Sequence, residues 1–170
     1  MVIRRELGEM LPNQGHYFNA GSLSKRFTPA GPDHAQVAAC AGMADYVESL
    51  AGHHGVASAG VHDLMRDQEI RLLKPVLDAI KVRNDVRLLG PSDAAVRAPT
   101  VAIDLGRPAE PVAAELAKHG INAGGGDFYA VRALEGMGID PAQGVLRLSF
   151  THYTSEAEIA QLLGALDAVL

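Results

Sequence analysis

The chain has no tryptophan and one cysteine, and aromatic residues make up only 5% of its 170 positions. Whatever core it builds must rest on aliphatic side chains. The single cysteine, Cys40, cannot close an internal disulfide, which agrees with a reducing compartment. No run of eighteen apolar residues occurs. Nor is there a charged start followed by an apolar stretch of the signal-peptide kind, so the expectation is a cytoplasmic protein with no membrane partner. Basic residues are neither abundant nor clustered: 15 Lys and Arg face 20 Asp and Glu, for a net charge of -5 and a pI near 5.8. That balance provides neither the basic stripe that grips nucleic acid nor a polybasic membrane patch.

What is present suffices for a folded domain. Hydrophobic residues make up 48% of the chain, enough at this length to bury one core. Met1 to Met10 reads as a strand end followed by a short helix, RELGEML. Leu11 to Pro32, punctuated by Gly15, Gly21 and the Pro29 to Pro32 cluster, reads as a long loop, and loops of that length are usually functional or depend on a neighbour. Asp33 can cap the next helix, with Gln36 at its third position. In that helix Val37, Cys40, Ala41, Ala44, Val47 and Ala51 form a narrow small-residue stripe suited to close helix packing. On this pattern Cys40 is a small buried hydrophobe rather than a reactive thiol.

A longer helix is expected from Val61 to about Lys81, kinked at Pro75. Strands are expected over 86–89 and 100–105, a helix over 110–119 closed by Gly120, a brief strand at Ile121 to Ala123, and a helix near Phe128 to Met137. The last helix carries Ile159, Leu162, Leu163, Leu166 and Val169 at helical spacing and must pack on a sheet. The fold class expected is α/β of the two-layer α+β kind, with helices on one face of the sheet. Gly124 to Gly126 lacks the spaced glycines of a dinucleotide fingerprint and reads as a flexible turn. Phe128 and Tyr129 read as a core aromatic pair. His53, His54 and His62 share no ligand rhythm with acidic partners, so no metal is expected.

The segment Gly144 to Glu158, GVLRLSFTHYTSEAE, concentrates chemistry. Alternation from Val145 to Phe150 turns Leu146, Leu148 and Phe150 one way and Arg147 and Ser149 the other. The polar turn His152, Tyr153, Thr154 follows, and then Ser155 with Glu158 three residues on, a capping box that starts a helix. A guanidinium held beside such a turn is suited to gripping a carboxylate through two parallel charged hydrogen bonds. The residues alone leave open a plainer alternative, an edge-strand arginine in a surface ion pair of little consequence.

The stretch GVLRLSFTHYTSEAEI resembles the C-terminal signature of the class V aminotransferase and cysteine desulfurase-like enzymes, which use pyridoxal 5'-phosphate (PLP) on the fold type I scaffold. Their His-Tyr-Asn-Thr turn is matched here with Thr154 in place of the asparagine. Residues 16–55, beginning HYFNAGSLSKRFTPAGPDH, resemble the loop and long helix that follow the cofactor lysine of that family. The resemblance implies a small C-terminal domain over 61–170 with a few-stranded, mainly antiparallel sheet, and a remnant of the large cofactor domain over 1–60. It implies an amino-acid substrate whose α-carboxylate is bound by Arg147, a homodimer, and Thr28 presented to the cofactor phosphate of the partner subunit. Phe27 stands where a glycine often precedes that threonine, which leaves an ordinary Thr-Pro turn as the alternative.

The Schiff-base lysine of the family is expected upstream of this chain, so no catalytic residue is assigned here and the chain alone is expected to be inactive. A desulfurase cysteine in a late loop is absent, which disfavours desulfuration by the usual thiolate route and leaves transferase or lyase chemistry for the parent enzyme. The alternative from a different class is a noncatalytic domain derived from that family and used for oligomerisation or partner binding.

Overall fold

Aliphatic spacing decides where the core forms. In the computed structural model, which describes residues 3–27 and 33–170, Leu72, Leu73, Val76, Leu77 and Ile80 are at most 2% exposed on helix α3, Val61–Lys81. Their three- and four-residue spacing makes one apolar stripe. Pro75 removes one backbone donor, yet α3 continues through it. The chain divides into two compact units, Met1–Ser58 and Ala59–Leu170.

The second unit is a four-stranded antiparallel sheet with helices. Its strands are β1 (Arg87–Leu89), β2 (Thr100–Asp104), β3 (Gly124–Gly126) and β4 (Val145–Ser149), in the order β1-β2-β4-β3. Helices α4 (Ala109–Lys118), α5 (Val131–Gly136) and α6 (Glu156–Val169) complete it. Because directly paired residues share a face, the pairings Leu88↔Ile103, Val101↔Leu148 and Gly125↔Leu146 define one face. That face joins α3, α4 and α6 in the main core, where Val101, Ile103, Leu116 and Leu146 are fully buried. The α/β fold class expected from the pattern, a few-stranded antiparallel sheet with helices, is that observed.

Three expectations are corrected here. The brief strand lies at Gly124–Gly126, not Ile121 to Ala123, and so the triple glycine is a sheet element rather than a flexible turn. Close approach explains it: a Cβ on Gly125 would sit 2.6 Å from the backbone of Ala109 and Glu110 at the start of α4. Only glycine lets that strand and that helix meet. The helix expected near Phe128 begins only at Val131, because Phe128 and Tyr129 take left-handed φ values of 50° and 59° that no helix can include. Finally, the second sheet face is not bare. Leu134 of α5, with Ile139, packs there on Val145, and Leu89, Ala102 and Phe128 join them.

In the first unit, α1 (Arg5–Met10) is followed by a loop that folds back rather than wandering. The Arg26 guanidinium donates to the carbonyl oxygens of Glu9 and Leu11, while Gln14 and Gly15 donate their N–H groups to the Arg26 carbonyl. Helix α2 (His34–His54) starts at Asp33, whose carboxylate accepts from the Gln36 N–H at 3.1 Å. The small-residue stripe is not packed as its spacing suggests: Val37 is 63% exposed and Ala51 alone of α2 is buried. Cys40 is likewise exposed, its thiol directed to the Gln36 carbonyl of its own helix. Alanines bury too little area to hold a helix without a close partner, and besides α2 the described part of this unit holds only the six-residue α1 and a single 3-10 turn at Tyr17–Asn19.

Candidate functional site

Arg147 projects from the sheet face opposite the main core, and the register places its surroundings. Its direct partners are Ala102 on β2 and Gly124 on β3, so both flanks of the guanidinium stem carry minimal side chains. Two residues along the same face, the Ser149 and Thr100 hydroxyls lie 3.3 Å apart. In the other direction the face is closed by α5 and its small apolar cluster. Arg147 therefore stands at the border between a covered and an open half of the sheet.

The edge-strand ion pair offered as the plain alternative does not hold. β4 is an interior strand between β2 and β3, and among the described residues no carboxylate lies within ion-pairing distance of Arg147. Its guanidinium carbon instead sits over the Phe128 ring, 4.0 Å from the centroid. The nearby Arg87 shows the contrast, since it pairs with Asp104 and donates to the Met137 carbonyl. A positive group with donors uncommitted to an anion, exposed on a rigid interior strand, can accept a carboxylate in the bidentate geometry that guanidinium favours.

The turn after β4 is fixed by its own polar groups. Thr154 Oγ1 accepts from the Thr151 N–H at 3.2 Å, and the Thr154 N–H returns to the Thr151 carbonyl. His152 Nδ1 lies 3.8 Å from Glu69 on α3. The capping box at α6 is complete: Ser155 Oγ accepts from the Glu158 N–H and Glu158 Oε2 accepts from the Ser155 N–H at 2.7 Å. Donation from the Ser155 N–H first, and from its hydroxyl second, holds the Glu158 carboxyl below its usual value. On the far side of β2, the Arg97 guanidinium donates to the carbonyls of Leu89, Pro91 and Thr100, closing the loop between β1 and β2. Burial pulls its pKa down, though a guanidinium stays charged.

The other sequence-derived candidates separate. Thr28 lies outside the described residues. Tyr129 is fully exposed, so it is no core residue, whereas Phe128 is half-buried beneath Arg147. The core-pair expectation thus fails for Tyr129 because the left-handed turn swings it outward. No group of three or more potential metal-ligating side chains gathers among the described residues, and no helix of the described residues is long and apolar enough to cross a membrane. Spacing did not reveal the Phe128–Arg147 contact, which joins residues nineteen positions apart through β3. The one signal was a triple glycine just before an aromatic, the composition of a close backbone approach.

The fold resembles the C-terminal portion of class V aminotransferase-like proteins. The structure is similar to the apo cysteine desulfurase of Thermococcus onnurineus, at 25% identity and a TM-score of 0.68, over 85% of this chain and 33% of that one. It is also similar to the NifS-like protein of Rickettsia africae at 18% identity and TM-score 0.53, over 66% of this chain and 30% of that one. The cysteine desulfurase CsdA of Escherichia coli matches at 22% identity and TM-score 0.52, over 66% of this chain and 28% of that one. The last two likenesses speak for the fold alone. The chain thus spans about a third of the length of these solved structures. No family model matches it, and no curated protein matches it in sequence.

Proposed function

We propose that the Ala59–Leu170 unit is the substrate-clamping region of a PLP-dependent, class V aminotransferase-like enzyme, and that Arg147 binds the α-carboxylate of an amino-acid substrate. One observation carries the reading: an exposed arginine on an interior strand, flanked by Ala102 and Gly124, with no anionic partner among the described residues. An arginine kept for structure normally commits its donors to carbonyls or carboxylates, as Arg97 and Arg87 do. Arg147 holds its charge in reserve. The rest of the reading follows the resemblance: residues 1–60 as a remnant of the large cofactor domain, Thr28 toward the cofactor phosphate of a partner subunit, and a cytoplasmic homodimer.

The described residues do not fit PLP as a resident group. The chemistry needs a lysine amine poised at a strand end. Lys74 and Lys81 both pair with Asp78 on α3, Lys118 pairs with Glu115 on α4, and Lys25 is exposed in the loop before α2. This chain's part is to bind and orient the substrate carboxylate.

A titration of the isotopically labelled chain with L-alanine, read at the Arg147 Nε–Hε resonance, tests the clamp. L-alanine should shift that resonance with millimolar affinity, its methyl ester should not, and Arg147→Gln should abolish the response. Equal responses to acid and ester, or none to either, would overturn the reading. A second reading, a noncatalytic oligomerisation or partner-binding domain, is favoured by the apolar exposure of the first unit, where Tyr17, Phe18, Val37 and Met43 are each more than 60% exposed. It gains if Arg147 ignores the carboxylate.

A further inference from the structure

We infer that Phe128 is the positioning residue of the Arg147 clamp, a role that rests on the carboxylate reading above. A flexible guanidinium must be held in place before it can take a ligand well, yet a carboxylate holder would occupy its donors and neutralise its charge. An aromatic face does neither. The Phe128 ring, with its centroid 4.0 Å from the Arg147 guanidinium carbon, attracts the cation through its quadrupole and leaves the N–H donors unused.

Three separate features hold that ring where it is. First, Phe128 and Tyr129 are the only non-glycine residues among those described with positive φ, at 50° and 59°. Such a pair persists only where the surroundings enforce it. Asp127 does so: its carboxylate accepts from the Tyr129 N–H at 2.9 Å, and its carbonyl accepts from the Ala130 N–H at 2.8 Å. Second, the ring packs beside the Leu134, Ile139 and Val145 cluster under α5, so one side of it is anchored by apolar contact. Third, Gly124 makes the room. A Cβ at that position would lie 2.8 Å from Phe128 Cζ, and Gly124 is the direct β3 partner of Arg147. The absent side chain on β3 is thus filled by a ring from the following turn, and the arginine of β4 rests on that ring.

The test uses the whole chain, the Arg147 Nε–Hε resonance and L-alanine as probe. In the native protein the ring current of Phe128 should displace that resonance from its ordinary position. Phe128→Leu should return it there and weaken L-alanine about 2- to 5-fold, the range expected for an exposed cation–π contact. Phe128→Tyr should preserve both the displacement and the affinity, which a merely structural aromatic would not require. Gly124→Ala should push the intact ring aside and reproduce the Phe128→Leu effect, and it carries the test if Phe128→Leu does not fold. Should L-alanine bind while Phe128→Leu and Gly124→Ala leave both resonance and affinity unchanged, the positioning role is overturned. Should the resonance be ring-shifted and sensitive to Phe128 but deaf to L-alanine, the carboxylate reading fails and Phe128 positions no clamp.

Discussion

Leu146 and Arg147 are neighbours on one strand and inhabit opposite conditions. Leu146 is fully buried against α3, α4 and α6, on a face whose residues pack wall to wall. Arg147 looks out from the other face, where the α5 cluster takes in Val145, Ala102 and Leu89 and leaves Thr100, Ser149 and the guanidinium exposed. A sheet with one face in the core is stabilised through that face, so the second face is free to carry polar groups with little effect on folding. Rigidity reaches the open face without charge: Arg147 is fixed through β4's backbone and through one ring. The covered face makes the platform and the open face uses it.

The difference should be large in stability. Leu146→Ala should cost about 2–5 kcal/mol in a denaturant titration, because the site is enclosed and cannot collapse fully. Arg147→Gln, one residue on, should stay within about 0.5 kcal/mol of the native chain, as an exposed side chain with no ion pair does. If the arginine variant unfolded as readily as the leucine variant, Arg147 would be structural and the two faces would not be divided by role.

Gly125 probes the same division at the point where the faces meet α4. An added methyl would lie 2.6 Å from the Ala109 carbonyl carbon and oxygen, backbone atoms that cannot rotate away. Gly125→Ala should therefore cost about 1–3 kcal/mol. Amide exchange should show β3 lose protection while β1 and β2 keep theirs. A neutral Gly125→Ala would mean that β3 is not pressed on α4.

Much of this arrangement was legible from residue spacing. Helix α3 begins and ends where its apolar stripe predicts, Asp33 and Ser155 cap the helices they precede, and β4 alternates as Val145 to Phe150 requires. Those features are local, and periodicity and capping are local signals. The strand at Gly124–Gly126 escaped because three glycines carry no side-chain pattern; they are there for what lies against them. Phe128 escaped for the same reason, since its partner reaches it only through a pairing set by tertiary structure. The stripe on α2 misled in the reverse direction: small residues at helical spacing promise a partner, and the described part of its own unit provides none that buries Val37 or Cys40.

The smallest expected effect concerns the start of α6, which belongs to the covered side. Glu158 is held below the ordinary 4.5 of its carboxyl group by hydrogen bonds from the Ser155 N–H and then its hydroxyl, against a lesser opposing effect of burial. A depressed folded-state pKa means the charged form is favoured by folding. Its contribution is complete above the ordinary value and disappears as pH falls through the lower folded one. Glutamine can also close a capping box, so Glu158→Gln removes only the charge and its attraction to the helix N-terminus. Asp78, Asp85 and Glu115 are depressed too, by Lys74, Arg83 and Lys118, and the native chain as a whole should lose stability in the same acidic range. The difference between native chain and Glu158→Gln isolates the cap. It should be constant from neutral pH down to about 4.5 and close below that, while the Arg147 Nε–Hε resonance stays where it was. A gap that persisted undiminished in acid would mean the Glu158 charge contributes nothing to the cap, and movement of Arg147 in step with it would mean that the two faces of the sheet are coupled rather than separate.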